Sequence, residues 1–318
     1  MSAKIDPGIH RRVLGFEESA LLDRYWHVVD IVGVAPGPRL AVMAGMHVNE
    51  VTSIEATRQL PSCLDPAQMK GSISIISVVN WPAWETRDRL VCPIDKKNIN
   101  FCFPGQSDGT FSEALAHALL SVWAADAVCL VDLHGADLCE QVARFAVYQS
   151  IGDPRFDPEA QVIAEQFDVD LIVALGEEHM RSPGRSITGR AVMRQHGAFV
   201  EAGIGGMIGE EEVRLHRDGV LRLAEYYGIL PKGSAPRKKV PNARILHEYH
   251  WIASPCRGWC TMHIVAGSDV TRATRLATLV DLETGIERDL LPEFDGVVLW
   301  KDTSPVVSAG QIIAGVGR

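Results

Sequence analysis

Short apolar runs rich in β-branched residues alternate with longer amphipathic stretches over the first two thirds of the chain. The runs predicted to form strands are Trp26–Val32, Leu40–Ala44, Ile73–Val79, Val128–Leu133, Ala146–Tyr148, Asp170–Ala174 and Ala198–Glu201. Their continuous apolar character is typical of strands that are covered on both faces. The stretches predicted to form helices are Val51–Leu60, Ser112–Ala125, Pro158–Phe167 and Glu210–Tyr227. This alternation predicts an α/β fold, with a mainly parallel or mixed sheet flanked by helices.

The second predicted helix has a recognisable beginning. Ser112 is a suitable N-cap residue, and Glu113 in the first turn suits the positive end of the helix dipole. We therefore predict that this helix begins at Ser112.

The composition changes at residues 230–241, where Pro, Gly, Ser and basic residues cluster. Such a segment is typical of a linker or a domain boundary. From Ile245 onward, short β-rich runs are separated by turn signals such as Thr284–Gly285 and Asp295–Gly296. We therefore predict two domains, an α/β domain over residues 1–232 and a small all-β domain over residues 242–318.

Charge and composition exclude several classes of protein. The net charge of −9 argues against a nucleic-acid-binding face or a protein that binds anionic membranes. The N-terminus lacks a secretory signal pattern, and no apolar run is long enough to span a bilayer. Seven cysteines without a repeated spacing fit a reducing compartment. We predict a cytoplasmic protein with a small-molecule substrate and no nucleic-acid or membrane partner; a homo-oligomer remains open.

Two predicted strands are followed by residue types that commonly bind metals in proteins. His47 and Glu50 follow the strand that ends at Ala44, and His134 follows the strand that ends at Leu133. Open α/β sheets place ligand sites beyond the carboxyl ends of their strands. Two imidazoles and a carboxylate around one zinc ion leave a fourth position for water, which is the catalytic arrangement. Each segment alone is also compatible with an ordinary surface turn or a hydrogen-bonded histidine.

Glu201 lies at the end of a further apolar run, Phe199–Gly203. Burial at such a position raises the pKa of a carboxyl group toward the range that suits a general base. A strand-end residue that faces solvent is the alternative interpretation.

The order of these motifs resembles the succinylglutamate desuccinylase/aspartoacylase family of the zinc carboxypeptidase superfamily. The motifs are AGMHVNE, NWPAWETRDR, DKKNINFCFPG, VDLH and VEAG, and the β-rich end resembles the barrel-like C-terminal domain of the family. The resemblance implies that His47, Glu50 and His134 bind one zinc ion and that Glu201 is the catalytic glutamate. It also implies that Arg89, or alternatively Arg87, polarises the substrate carbonyl, and that Asn100 contacts the substrate.

One position departs from the family pattern. The family commonly has an arginine after the asparagine of its N-R-x-F-P-G motif, and Phe101 stands there in this chain. Phenylalanine cannot donate to a substrate carboxylate as a guanidinium does. We therefore expect either a less acidic or more aromatic substrate, or a carboxylate anchor supplied by Arg181, Arg185 or Arg190.

The resemblance implies a zinc-dependent deacylase that hydrolyses the amide of an N-acylated amino acid or a similar small amide. Two alternatives remain open at this point. One is a zinc carboxypeptidase that acts on short peptides, and the other is a catalytically silent relative that only binds a ligand.

Overall fold

The computed structural model describes residues 6–86, 90–181, 184–240 and 242–318. Within these ranges the helices are α1 (Val51–Gln59), α2 (Trp81–Thr86), α3 (Phe111–Ala118), α4 (Asp157–Ala164), α5 (Ser186–Val192) and α6 (Glu210–Tyr226). The strands of the N-terminal part are β1 (Gly8–Leu14), β2 (Trp26–Val32), β3 (Ala35–Ala44), β4 (Lys70–Ile76), β5 (Cys129–Leu133), β6 (Glu140–Gln149), β7 (Leu171–Leu175) and β8 (His196–Ile204). The strands of the C-terminal part are β9 (Arg244–Leu246), β10 (Tyr249–Ala253), β11 (Gly258–Met262), β12 (Asp269–Val270), β13 (Ala277–Asp281), β14 (Glu287–Leu290), β15 (Gly296–Asp302), β16 (Val306–Val307) and β17 (Ile312–Gly317).

A large mixed sheet runs through the described part of the chain. Its main path is β1-β2-β4-β3-β5-β8-β6-β15-β17-β10, and β7, β9 and β12 join at its sides. Strands β4, β3, β5 and β8 are mutually parallel, whereas β6 runs antiparallel to β8. The predicted mixed sheet is therefore confirmed, and its parallel centre is the part that the apolar runs indicated.

Helices cover both faces of this centre. Leu40 and Val42 of β3 pack into one apolar cluster with residues of α4 and α6. Ala41 and Met43 of the same strand pack into a second cluster with residues of α3. Alternate residues of one strand thus lie in two different cores, which explains why β3 is apolar throughout rather than alternating.

The start of α3 differs from the prediction. The helix begins at Phe111 with Thr110 as its N-cap, and the Thr110 backbone N–H donates to Glu113 Oε2 at 2.9 Å. Ser112 lies inside the first turn instead, where its hydroxyl donates to Asp95 Oδ1 at 2.8 Å. The capping-box pairing between Thr110 and Glu113 sets the boundary, so the prediction of Ser112 as N-cap was wrong.

The C-terminal part contributes a separate antiparallel sheet, β14-β13-β11-β16, with its own apolar cluster. The predicted small β-rich unit is therefore confirmed, while its boundary between residues 232 and 242 stays a prediction. Strand β15 also joins the large sheet by pairing with β6, and the register sets Asp302 opposite Glu140 and Trp300 opposite Val142. This pairing places side chains of β15 beside β6, the strand next to the parallel centre of the sheet.

None of the helices in the described ranges has the length and apolar character needed to span a membrane. The cysteines are all free thiols, and most of them are buried or half-buried.

Candidate active site

The two histidines lie at neighbouring strand ends because β3 and β5 are parallel partners. Ala44, the last residue of β3, pairs with Leu133, the last residue of β5. His134 follows directly, and His47 follows after a tight turn that begins at Gly45. Gly45 has a φ of +66°, and a Cβ there would lie 2.8 Å from the Ser77 carbonyl oxygen, so the turn requires glycine.

His47, Glu50 and His134 form one compact, buried group. Their candidate ligand atoms all lie within 4.8 Å of one another. His47 Nδ1 is 2.6 Å from Glu50 Oε1, and His134 Nδ1 is 2.9 Å from Glu50 Oε2. Both imidazoles therefore present the same ring nitrogen, Nδ1, to the two oxygens of one carboxylate. The structure brings together the three residues that the sequence proposed as metal ligands.

The other nitrogen of each imidazole faces an oxygen acceptor. His47 Nε2 lies 3.0 Å from Asn98 Oδ1, and His134 Nε2 lies 3.2 Å from Asp132 Oδ1. The hydrogen bond to Asn98 keeps the proton of His47 on Nε2 and leaves its Nδ1 lone pair free, which is how metal-binding histidines are usually oriented, and Asp132 Oδ1 is the acceptor that His134 Nε2 would use in the same way.

The surroundings of His134 fit a metal better than they fit an ordinary buried histidine. Both of its ring nitrogens are buried, and neither makes a hydrogen bond of acceptable geometry to a described residue, despite the short distances to Glu50 and Asp132. A buried imidazole without hydrogen bonds is costly unless another partner binds it. The donor set of two imidazole nitrogens and one carboxylate suits zinc.

Strong electrostatic coupling links the three groups. Burial alone lowers the pKa of His134, but the carboxylates of Asp132 and Glu50 outweigh it and raise that pKa well above its usual value. Burial also lowers the pKa of His47, but the Glu50 carboxylate outweighs this effect and raises that pKa above its usual value. Burial raises the pKa of Glu50, but the two imidazoles outweigh this effect and lower it to about 2. A cation that replaced these protons would be held by an ionised Glu50.

Glu201 lies on β8 and lines the same cleft as His47 and Glu50. Its Oε2 is buried and has no hydrogen-bond partner among the described residues. Burial raises the pKa of Glu201 well above its usual value, and the Glu50 carboxylate raises it further. A carboxyl group in this state is suited to exchanging protons with a bound molecule.

The cleft has a volume of about 450 Å³ and combines residues of both halves of the chain. His47 and Glu50 line this cleft, and so does Asn100, which is buried and whose Oδ1 has no hydrogen-bond partner within the part of the chain that the structure describes. Residues from the C-terminal part of the chain form another side; they are Trp251, Trp300, Asp302, Gln311 and Ile312.

The structure separates the candidate arginines. Arg190 is fully buried and donates to the backbone carbonyls of Ala124 and Ala127, so the hypothesis that it anchors a substrate was wrong. Arg185 lines the cleft, and its guanidinium carbon lies 5.6 Å from the centre of the Phe101 ring. The side chain of Arg181 lies outside the described residues, as do Arg87 and Arg89 entirely, so their predicted roles stay predictions.

Several lining residues were missed by the sequence reasoning, notably Asn98, Glu140 and Asp302. Asn98 is close in sequence to Asn100, but a single asparagine carries no ligand signature. Glu140 and Asp302 are 162 positions apart, and only their pairing across β6 and β15 brings them together. Burial raises the pKa of Glu140 to about 7, and the nearby Glu50 carboxylate adds to the effect.

Comparison with known families decides the relationship. The model of the succinylglutamate desuccinylase/aspartoacylase catalytic domain matches residues 36–227, which is more than half of the chain. The chain belongs to the succinylglutamate desuccinylase/aspartoacylase family. The predicted membership is confirmed, and deacylases of this family act on amide bonds.

Individual relatives in the family agree with this assignment. The chain is 25% identical over 296 residues to the N-alpha-acetyl-L-2,4-diaminobutyric acid deacetylase of Halomonas elongata, covering 90% of this chain and 84% of that protein. The product-bound ectoine utilization protein EutE (DoeB) of Ruegeria pomeroyi superposes with a TM-score of 0.84 at 22% identity, over 99% of this chain and 97% of the other. A succinylglutamate desuccinylase/aspartoacylase of Rhodobacter sphaeroides superposes with a TM-score of 0.83 at 22% identity, over 99% and 98%. At these identities the solved structures support the fold.

Proposed function

We propose that this chain is a zinc-dependent deacylase that hydrolyses the amide bond of a small N-acylated amino acid. The observation that carries the proposal is the convergence of His47, Glu50 and His134 beside Glu201 in one cleft. The deacetylase of Halomonas elongata supports this substrate class, because its name describes an N-acetylated amino acid.

The metal would be held by Nδ1 of His47, Nδ1 of His134 and the Glu50 carboxylate. When bound, zinc supplies Lewis acidity, which activates water and polarises an amide carbonyl. Asn98 and Asp132 would hold the two imidazoles in the orientation that keeps both Nδ1 atoms available to the metal.

Glu201 moves the proton in the proposed reaction. Its carboxylate accepts a proton from water as the water oxygen forms a bond to the carbonyl carbon. The same carboxyl group then donates this proton to the nitrogen as the carbon–nitrogen bond breaks. The products are a carboxylic acid and an amine, so atoms and charges balance. Arg89, with Arg87 as the alternative, keeps its proposed role at the carbonyl oxygen, and Asn100 keeps its proposed role as a substrate contact.

Arg185 is the anchor that we propose for a substrate carboxylate. Its guanidinium carbon lies 5.6 and 5.5 Å from the centres of the Phe101 and Phe199 rings, and its Nε is buried without a hydrogen-bond partner among the described residues. A guanidinium with an unsatisfied donor beside Phe101 can take over the task that an arginine at position 101 would have. A free-acid substrate should therefore be preferred over its carboxamide, and Arg185→Met should remove that preference.

The test combines metal content with turnover of a panel of N-acetyl, N-succinyl and aromatic amides, including N-acetyl-2,4-diaminobutyrate. The Glu201→Gln variant should keep one zinc ion and lose about 100-fold to 10,000-fold in kcat. The His47→Ala variant should lose the metal. The Glu17→Gln variant, at an exposed position away from the cleft, is the control and should match the parent protein.

Each alternative function has its own outcome in this test. Release of C-terminal residues from short peptides, without cleavage of acyl amides, would identify a carboxypeptidase. Zinc binding without turnover of any amide would identify a silent binding protein. Full activity of the Glu201→Gln variant would refute the proposed proton transfer.

A further inference from the structure

Two carboxylates face the cleft from the pair of strands that joins the two parts of the chain. Glu140 of β6 and Asp302 of β15 are directly opposite each other in the register, and both line the cleft. Their side chains are 8% and 6% exposed. Directly opposed like charges on neighbouring strands are unfavourable, and burial increases the cost. A cation close by, or a proton held by one of the two carboxyl groups, is needed to offset this repulsion.

The described residues supply no such cation. Neither Glu140 nor Asp302 has an arginine, lysine or histidine partner within 4.0 Å in the ranges that the structure describes. Asp302 accepts hydrogen bonds from the Ser304 backbone and from Gln311, and Glu140 Oε2 accepts one from the Asp137 backbone. These are neutral donors, so the two negative charges are solvated only in part.

The other charged groups of the cleft have roles in the proposed function. Glu50 would hold the metal ion, Glu201 would exchange the proton, and the Arg185 guanidinium would bind a substrate carboxylate. Glu140 and Asp302, which line the cleft from the β6–β15 pair, have no such role. Charge complementarity then requires a positive group on the bound molecule itself.

A further buried acceptor lies in the same cleft. Asn100 is 5% exposed, and its Oδ1 has no hydrogen-bond partner in the described part of the chain. A buried acceptor is usually hydrogen-bonded, so a donor on the bound molecule would be favourable here, and an ammonium group has three N–H donors. Two indole rings, Trp251 and Trp300, also line the cleft with their centres 6.2 Å apart, and indole faces attract cations.

We propose that Glu140 and Asp302 form a subsite for an ammonium group carried by the amine portion of the substrate. The substrate class is thus an N-acylated diamino acid or a similar cationic amide, rather than an acylated dicarboxylic amino acid. The inference rests on the proposed deacylase function, since it places the ammonium group beside the amide that this function cleaves.

A matched pair of substrates tests the subsite. N-acetyl-2,4-diaminobutyrate carries a terminal ammonium group, and N-acetylnorvaline carries a methyl group in the same place. The zinc-loaded parent protein should have the higher kcat/KM for the cationic amide. The Glu140→Gln and Asp302→Asn variants should each lower the ratio of the two kcat/KM values by about 10-fold to 100-fold, the range expected for a hydrogen bond to a charged group. Glu287→Gln, at an exposed position of β14, is the control for loss of a carboxylate and should leave the ratio unchanged.

Binding gives a second measurement that does not depend on turnover. The zinc-loaded Glu201→Gln variant should bind the cationic amide more tightly than the neutral one by calorimetry, and adding Asp302→Asn should abolish the difference. Equal kcat/KM and equal affinity for the two amides would overturn the subsite while leaving the deacylase proposal intact. Absence of turnover with a retained preference in binding would support the subsite and refute the deacylase proposal.

Discussion

The Asp132→Asn substitution tests the proposed metal site without removing a proposed ligand. Asp132 is fully buried on β5, and its Oδ2 accepts a hydrogen bond from the Ser186 hydroxyl at 2.5 Å. This bond fixes the carboxylate, whose Oδ1 faces His134 Nε2 at 3.2 Å. Asparagine has nearly the same shape but can present its amide N–H₂ to Nε2. That contact favours the imidazole tautomer with a proton on Nδ1, which cannot bind a metal.

The expected effect follows from this geometry. Removing the carboxylate partner of a metal-binding histidine typically weakens metal affinity by about 10-fold to 100-fold. The 3.2 Å separation is longer than that of a good charge-assisted hydrogen bond. We therefore expect the lower half of the range, about 10-fold to 30-fold, which corresponds to ~1.4–2 kcal/mol of binding free energy.

Zinc affinity is measured by competition with a chromogenic chelator at constant pH, for the parent protein and for the variant. The control is Asp30→Asn, since Asp30 is also a buried aspartate on a strand of the large sheet and pairs with Arg12 at 2.6 Å. This control should lose stability but keep its zinc affinity. Unchanged zinc affinity in Asp132→Asn would refute the argument that Asp132 orients His134.

Two further substitutions test stability. In the metal-free protein, burial raises the pKa of Glu140 from 4.5 to about 7. The carboxyl group therefore ionises at a lower pH in the unfolded chain than in the folded protein. The free energy of unfolding falls as the pH rises from 4.5 to 7. Glu140→Gln removes this loss and should be more stable than the parent by about 3 kcal/mol at pH 8 and by little at pH 4.5, measured by urea unfolding; a difference that does not change with pH would contradict the assignment. Gly219→Ala places a Cβ 2.1 Å from the Phe167 ring, a clash that costs up to about 3 kcal/mol, while the gain in helix propensity is about 1 kcal/mol, so we expect a net loss of about 1–2 kcal/mol in the free energy of unfolding. A Gly219→Ala variant as stable as the parent would show that α6 does not pack tightly on Phe167.

The fold class and the convergence of His47, Glu50 and His134 could be predicted from local sequence. Continuous apolar runs indicate strands covered on both faces, and neighbouring parallel strands end at the same edge of a sheet. His47 and His134 each follow such a run, so their convergence required only that the two strands be partners. Glu50 is three residues from His47, a separation that one turn closes. In this part of the molecule, short-range information was sufficient.

The choice among the arginines could not be made from sequence. Arg185 and Arg190 are five positions apart in a stretch for which the sequence predicts neither a strand nor a helix, and nothing in the local pattern distinguishes them. Tertiary packing buries Arg190 against backbone carbonyls near β5 and leaves Arg185 beside Phe101. The deciding contacts are made with residues about 60 to 85 positions away, and no local pattern records them.

The C-terminal wall of the cleft also depends on tertiary structure alone. The sequence predicted a β-rich unit after residue 242, but nothing in its pattern indicates which strand of the large sheet this unit pairs with. The pairing of β15 with β6 decides this, and it sets Asp302 against Glu140 at a register that a shift of one residue would destroy. The sequence by itself determined the fold class and the three residues that converge at the strand ends, because these follow from periodicity and strand direction. Only the tertiary structure decided what surrounds them, because long-range strand register and side-chain packing are properties of the assembled chain.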